Sequence, residues 1–393
     1  MAQFTTPRPA RLNEYAEAMA FTDRVFRPGQ RGRRIVESQY PHAYRETASY
    51  ARRLLLMRDA AEGDRLVGCL GVHPMRLRLG AATITAGGIG VVGADPARRG
   101  EGIMTRLLEE ALPRMREAGH AISILGGDRQ RYGWFGWENG GVCRRYLLTR
   151  RMLGAPTAAD RRLKLRRFDA EDGSMRRRLH RWALGRPHGV EHSVADVRPL
   201  YHREGRETWV VEDGKRFASV CLGGGARRNR PYERVDAAFG DTDMVASALR
   251  LVMARFRLTQ LWAIAGPSAA EADLFEPWAA SWQTQDDGMV RILDLPLLVE
   301  QLAPEIKCRQ RLTGVSLPDL QVQIHDLQQT ALLPGDGTTA RRCVMTSVQA
   351  IQFFFGSRPL RQTALAQQVS RRVIDPWATI LPLPLHVPAV HHI

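Results

Sequence analysis

The chain is poor in cysteine. Its five cysteines (Cys69, Cys143, Cys221, Cys308 and Cys343) are scattered, with no Cys-x-x-Cys pair and no Cys/His spacing. That excludes a zinc site and a disulfide frame, and reads as free thiols in a reducing compartment. No metal is expected. No uninterrupted apolar run is long enough to span a bilayer. The opening MAQFTTPRPARL lacks the apolar core of a secretory signal, so a cytoplasmic protein with no membrane partner is expected. Lysine is rarer still. Only Lys164, Lys215 and Lys307 are present among 57 basic residues, so the net charge of +16 is carried by arginine. The arginines run through the whole chain without a nucleic-acid-binding motif. Most therefore read as solvated surface, a few as contacts to an anionic ligand, and no nucleic-acid partner is expected.

What is present is a chain of 393 residues, 44% hydrophobic and 25% charged, the size of two or three soluble domains. Its most informative stretch is GGIGVVGADPARRGEG, residues 87–102. Ile89, Val91 and Val92 give a strand an apolar core. Asp95-Pro96 ends it, because proline fixes φ and removes a donor. A glycine loop follows, then an amphipathic helix over residues 103–110, with Pro113 expected to break it. A glycine loop that opens a helix is an anion site: the first-turn N–H groups have no helical partner and the helix dipole favours negative charge. Arg98 and Arg99 add positive charge. No Gly-Lys-Ser/Thr follows, which excludes a Walker loop, and no G-x-G-x-x-G follows the strand, which argues against a Rossmann site.

Pro96, Arg99, Gly100 and Gly102, after a hydrophobic strand and before an amphipathic helix, resemble the acetyl-CoA loop of the GNAT acetyltransferases. That family's pattern is Gln/Arg-x-x-Gly-x-Gly/Ala, and here Ala97 stands at its first position. Further on, Arg131-Tyr132-Gly133-Trp134-Phe135-Gly136-Trp137 resembles the Tyr-Gly-x-Phe-Gly-aromatic signature of the Eis branch of that family. The resemblance implies an α/β (α+β) fold: tandem GNAT-like domains, the second degenerate, followed by a sterol-carrier-protein-like α+β domain. It divides the chain into a catalytic domain over residues 1–150, a degenerate domain over residues 151–288, and a third domain over residues 289–393. It also implies acetyl-CoA as cosubstrate and a homo-oligomer, a hexamer in the family form.

The local patterns run in the same order. Helices are expected at residues 12–26 and 31–40. Strands are expected at residues 53–59 and 65–73, around the turn Glu62-Gly63-Asp64, then at residues 75–79 and 120–125. In the second segment residues 208–212 and 217–222 read as a hairpin, followed by a strand at 235–239, a helix at 243–256 and a strand at 261–264. No Arg-Gly-x-Gly precedes that helix, so this unit is expected not to bind CoA. The third segment offers a strand at 289–293, a helix from residue 296, a strand at 320–326 and a helix at 346–355 that ends at Gly356.

By resemblance, Val92, Gly93 and Ala94 would hold the pantetheine arm. Arg99, Gly100, Glu101, Gly102, Ile103, Met104 and Thr105 would hold the pyrophosphate, and Gly127 and Asp128 would line the later part of the site. Acetyl transfer to an amine needs a held thioester, a neutral amine and a proton for the departing thiolate. Tyr132 is the candidate general acid, since a phenol with a pKa near 10 is protonated at neutral pH. The alternative is a core tyrosine packed with Trp134, Phe135 and Trp137. The resemblance makes the C-terminal carboxylate, carried here by Ile393, the candidate base; His391 and His392 are the alternative. Asp128 and Glu138 flank the aromatic motif as possible contacts for a cationic amine. The expected activity is transfer of acetyl to an amine of a small molecule or a lysine side chain. The resemblance implies an acidic pocket where the acceptor is a polycationic antibiotic, and in so basic a chain aminoglycoside acetylation is not assumed. The alternative is a non-catalytic binding protein built on a GNAT shell and a lipid-carrier-like domain.

Overall fold

The computed structural model describes residues 3–29, 34–214, 216–224, 232–337 and 340–392. In chain order the first half supplies β1 (Arg8–Pro9), β2 (Leu54–Asp59), β3 (Arg65–Leu79), β4 (Ala82–Ala94), β5 (Ile122–Leu125), β6 (Glu138–Gly140), β7 (Cys143–Thr149), β8 (Arg166–Arg167) and β9 (His188–Val190). The second half supplies β10 (Arg206–Asp213), β11 (Arg216–Gly223), β12 (Arg234–Gly240), β13 (Gln260–Ala265), β14 (Ala279–Gln285), β15 (Gly288–Ile292), β16 (Leu320–Ile324), β17 (Gln329–Leu333) and β18 (Arg341–Met345). They form three sheets. The first has the order β1-β2-β3-β4-β5-β15-β6, with β9 also on β3; the second is β14-β7-β13-β12-β11-β10-β8; the third is β17-β16-β18.

The first two sheets share one plan. An antiparallel hairpin leads into a strand, a helix crosses over, and the next strand pairs in parallel: β4 with β5 around the helix Ile103–Glu117, and β12 with β13 around the helix Thr242–Arg255. The tandem α/β arrangement expected from the sequence is therefore what the chain builds. The two units also exchange a strand. β7, from the end of the first segment, lies between β13 and β14 of the second sheet. β15, which follows the second segment, lies between β5 and β6 of the first. Hydrogen bonding thus crosses the divisions near residues 150 and 288, and the strand expected to open the third segment completes the first sheet.

Three local expectations change for physical reasons. Residues 65–73 and 75–79 form one strand through Pro74, because β2 has left the outer edge of β3 by then and β9 has not yet joined it. The missing proline N–H costs no ladder bond there. Pro113 does not end its helix, which continues to Glu117 on a buried face of Leu107, Leu108, Ala111 and Met115. The helix expected over 31–40 is Ile35–Gln39, its first part lying outside the described residues.

The third segment packs on the first sheet. One core joins Leu77, Ile84 and Ile122 to Leu298, Leu302, Phe353, Phe354 and Trp377. The helix Leu295–Thr313 holds the β3–β4 turn and the start of β4, where the backbone N–H groups of Ala81 and Thr85 donate to Glu305 (2.7 Å) and Gln301 (2.9 Å). Among the described residues, no helix is long and apolar enough to cross a membrane.

Candidate active site

The first sheet forks. β4 and β5 pair only from Ala86/Ile122 to Ile89/Leu125, yet β4 continues to Ala94. At the fork β4 bulges: Cys69 faces Gly93 and Gly71 faces Gly90, so Val91 and Val92 together oppose Leu70. Val91 sits at φ 45°, a strained conformation for a β-branched residue. The edge of Val92, Gly93 and Ala94 turned away from β3 is thus left without a sheet neighbour, at the carboxyl ends of two parallel strands, where open α/β sheets bind ligands.

The glycine loop closes one side of this fork. Asp95, buried, accepts from the N–H of Ala97 (3.0 Å) and pairs with Arg65 (2.5 Å), fixing the start of the loop. Gly100 and Gly102 take φ of 86° and 75°, which only glycine adopts readily, and a Cβ on either would meet nothing within 4 Å. Gly102 caps the helix without a side-chain acceptor, and among the described residues no acceptor takes the first-turn N–H groups of Ile103, Met104 and Thr105. This fits an anionic diphosphate. One expectation is corrected here. Arg98 is not free to meet an anion, because it is spent on Asp59 (2.8 Å), Glu62 (2.9 Å) and Glu101 (2.8 Å) and holds the loop in shape. Glu101 can therefore offer the site only its backbone. Arg99 is exposed and has no ion-pair partner among the described residues.

Beyond β5, Asp128 caps the helix Arg129–Tyr132 by accepting from the N–H of Gln130 (2.9 Å). Glu138 is buried and makes a bidentate pair with Arg129 (2.6 Å for both bonds). Both carboxylates flanking the aromatic motif are thus occupied locally. The Tyr132 ring lies directly over Gly127, where a Cβ would overlap it. It stands edge-on to the buried Trp137 at 6.5 Å. Trp134 is not part of this cluster: the short 3₁₀ turn Gly133–Phe135 swings it out, 90% exposed. Burial holds the Tyr132 phenol above its usual pKa, only partly offset by Arg131, so it keeps its proton at neutral pH.

The tail returns to the same place. His391 and His392 line a cavity of about 180 Å³ at the fork, together with Gly88, Ile89, Leu125 and Gly126. Two buried clamps hold the tail. Asp287, just before β15, accepts from His386 Nδ1 (2.9 Å) and the N–H of Val387 (2.7 Å). Arg206, paired with buried Asp236 (2.8 Å), donates to the carbonyls of Ala389 (3.0 Å) and Val390 (3.1 Å). Burial pushes His391 well below its usual pKa, with His192 and His42 adding to the effect, so it is neutral. Ile393, the expected bearer of the basic carboxylate, lies outside the described residues. The clamps Asp287 and Arg206 carry no local sequence signal.

Residues 6–140 match the family model described as an acetyltransferase (GNAT) domain. The fold likeness covers far more of the chain. A GCN5-related N-acetyltransferase from Anabaena variabilis superposes with a TM-score of 0.72 at 14% identity, over 98% of this chain and 99% of its own. One from Kribbella flavida gives 0.66 at 17% identity, over 98% and 97%. Eis1 from Mycobacterium abscessus gives 0.63 at 14% identity, over 98% and 99%. At such identities the likeness establishes the fold. No curated protein matches the chain.

Proposed function

We propose that this protein is an acetyl-CoA-dependent N-acetyltransferase acting on an amine of a small molecule or a lysine side chain. The observation that carries the reading is the fork of β4 from β5 at a strained bulge, beside a glycine loop whose helix start has no cap of its own. The acetyltransferase domain match over residues 6–140 supports it, as does the fold likeness to GCN5-related N-acetyltransferases.

Bound acetyl-CoA would supply the activated thioester. The backbone N–H groups of residues 100–105, with Arg99 nearby, bind its pyrophosphate. The free edge of Val92, Gly93 and Ala94 holds the pantetheine arm by strand-like hydrogen bonds, and Gly127 and Asp128 border its far end. Tyr132 holds a proton on its phenol oxygen and gives it to the departing thiolate. The tail brings a base to the amine: the carboxylate of Ile393, with His391 and His392 beside it as the alternative. The second unit does not bind CoA. Its β12 runs into the following helix through Asp241 alone, with no glycine loop between them, and the Asp241 carboxylate, which accepts from the N–H of Phe217 (3.1 Å), sets a negative charge near the helix start. Residues 289–393, which we take as a sterol-carrier-like domain, serve to deliver the tail.

Purified protein incubated with acetyl-CoA, an amine panel and a thiol-detecting reagent tests this. Tyr132→Phe should lower kcat about 10²–10⁴-fold, the usual worth of general acid catalysis, with acetyl-CoA affinity unchanged. An unchanged rate would make Tyr132 a packing residue. Removing residues 390–393 should abolish turnover.

A further inference from the structure

The cavity at the fork has walls of one kind. Gly88, Gly126, Gly140, Gly141 and Gly288 keep its space open, and Met75, Ile124, Met289, Val290 and Leu385 give it an apolar surface. Most of its apolar lining lies on the face of the sheet opposite the helix Ile103–Glu117: Met75, Ile124, Val290 and Leu385 pack with the core shared with the third segment, whereas Ile89, Leu125 and Met289 pack with that helix. Gly87 points at Met115 of that helix, so its neighbour Gly88 points into the cavity. Cosubstrate loop and cavity therefore meet the fork from different sides, as two reactants would.

The polar groups of the cavity are few, and each has a defined state. Asp287 is its one carboxylate among the described residues; its Oδ2 accepts from both His386 and the N–H of Val387, and its charge is paired with His386. His391 is neutral. His392 Nε2 lies 2.9 Å from the carbonyl of Val387, which places its proton on that nitrogen and leaves Nδ1 as an acceptor. Such a lining can take a neutral amine, or pair one ammonium with the base that the tail brings. Among the described residues it offers a second ammonium no carboxylate whose charge is not already paired, and an unpaired buried cation is strongly disfavoured.

Resting on the acetyltransferase reading, we infer that the acceptor is a monoamine with a compact apolar body, and that this cavity selects against diamines and polycations. The two amines that isolate the point are hexylamine and 1,6-diaminohexane, alike except for the second ammonium. Titrated by calorimetry into CoA-loaded protein, hexylamine should bind at least about tenfold more tightly. In turnover its kcat/KM should exceed that of the diamine by a similar factor. Met75→Glu, which puts a carboxylate on the half-buried cavity wall, should narrow or reverse the preference while acetyl-CoA still binds. Equal or better use of the diamine by the wild-type protein overturns the inference, as does failure of hexylamine to bind or react while acetyl-CoA binds. Failure of acetyl-CoA itself to bind instead overturns the acetyltransferase reading on which it rests.

Discussion

Replacing Asp287 by alanine should release the tail from the fork. Asp287 and His386 are 5% and 3% exposed, so alanine would leave a buried imidazole and the Val387 N–H without their acceptor. Breaking a buried pair from one side typically costs about 3–5 kcal/mol. The cost should depend on pH in a definite sense. Burial alone would push His386 down, but the charge and hydrogen bond of Asp287, helped by Glu271, outweigh it and raise its pKa. Burial alone would push Asp287 up, but His386 and the Val387 N–H outweigh it and lower its pKa. A raised histidine contributes stability that is fully present below its unfolded pKa, about 6.5, and is lost as pH rises through the folded value. A depressed carboxylate contributes stability that is present above its unfolded pKa, about 3.9, and is lost as pH falls through the folded value. The pair is therefore worth most between these limits. Thermal unfolding of wild type and Asp287→Ala should differ most at mildly acid pH and less towards alkaline pH. The gap should not vanish, since the hydrogen bonds outlast the charge on His386. Turnover should fall with acetyl-CoA affinity retained. Identical unfolding curves at mildly acid pH, or a gap that widens with rising pH, would refute the reasoning.

Three further outcomes are expected. Gly127→Ala places a Cβ inside the Tyr132 ring, so the ring must move; kcat should drop while the circular dichroism spectrum stays native, and full activity would show that the position of the ring is immaterial. Arg206→Ala leaves buried Asp236 with Arg234 (3.0 Å) as its remaining ion-pair partner among the described residues and removes the donors to Ala389 and Val390, so denaturant titration should show a loss of about 1–3 kcal/mol for each buried acceptor left unpaired, together with lost activity. Light scattering at micromolar concentration should report a homo-oligomer, and a monomer would remove that proposal.

The fork's loop and helix were readable because their signals are local: an apolar run, Asp-Pro, two glycines, then helical periodicity. The hairpin at residues 208–222 was readable for the same reason. What escaped depends on distant partners. The alternation of CRRYLLT marks β7 as a strand but does not say that it joins the second sheet. Nothing near Met289 says that β15 completes the first. Asp287 finds His386 across 99 positions, and Arg206 finds the tail across 183 and 184. The bulge at Val91 reads in the sequence as ordinary β-branched strand, because its strain is imposed by the register of β3. Trp134 read as core by composition, and one 3₁₀ turn was enough to put it in solvent.

The central claim is that acetyl-CoA binds with its diphosphate at the start of the helix Ile103–Glu117. Isothermal titration of acetyl-CoA into wild type and Gly102→Asp tests it most directly. The substitution sets a carboxylate among the first-turn N–H groups, at a φ of 75° that aspartate tolerates better than most residues. The account predicts measurable binding by wild type and none by the variant, with both proteins folded. Equal affinity in the two would contradict it.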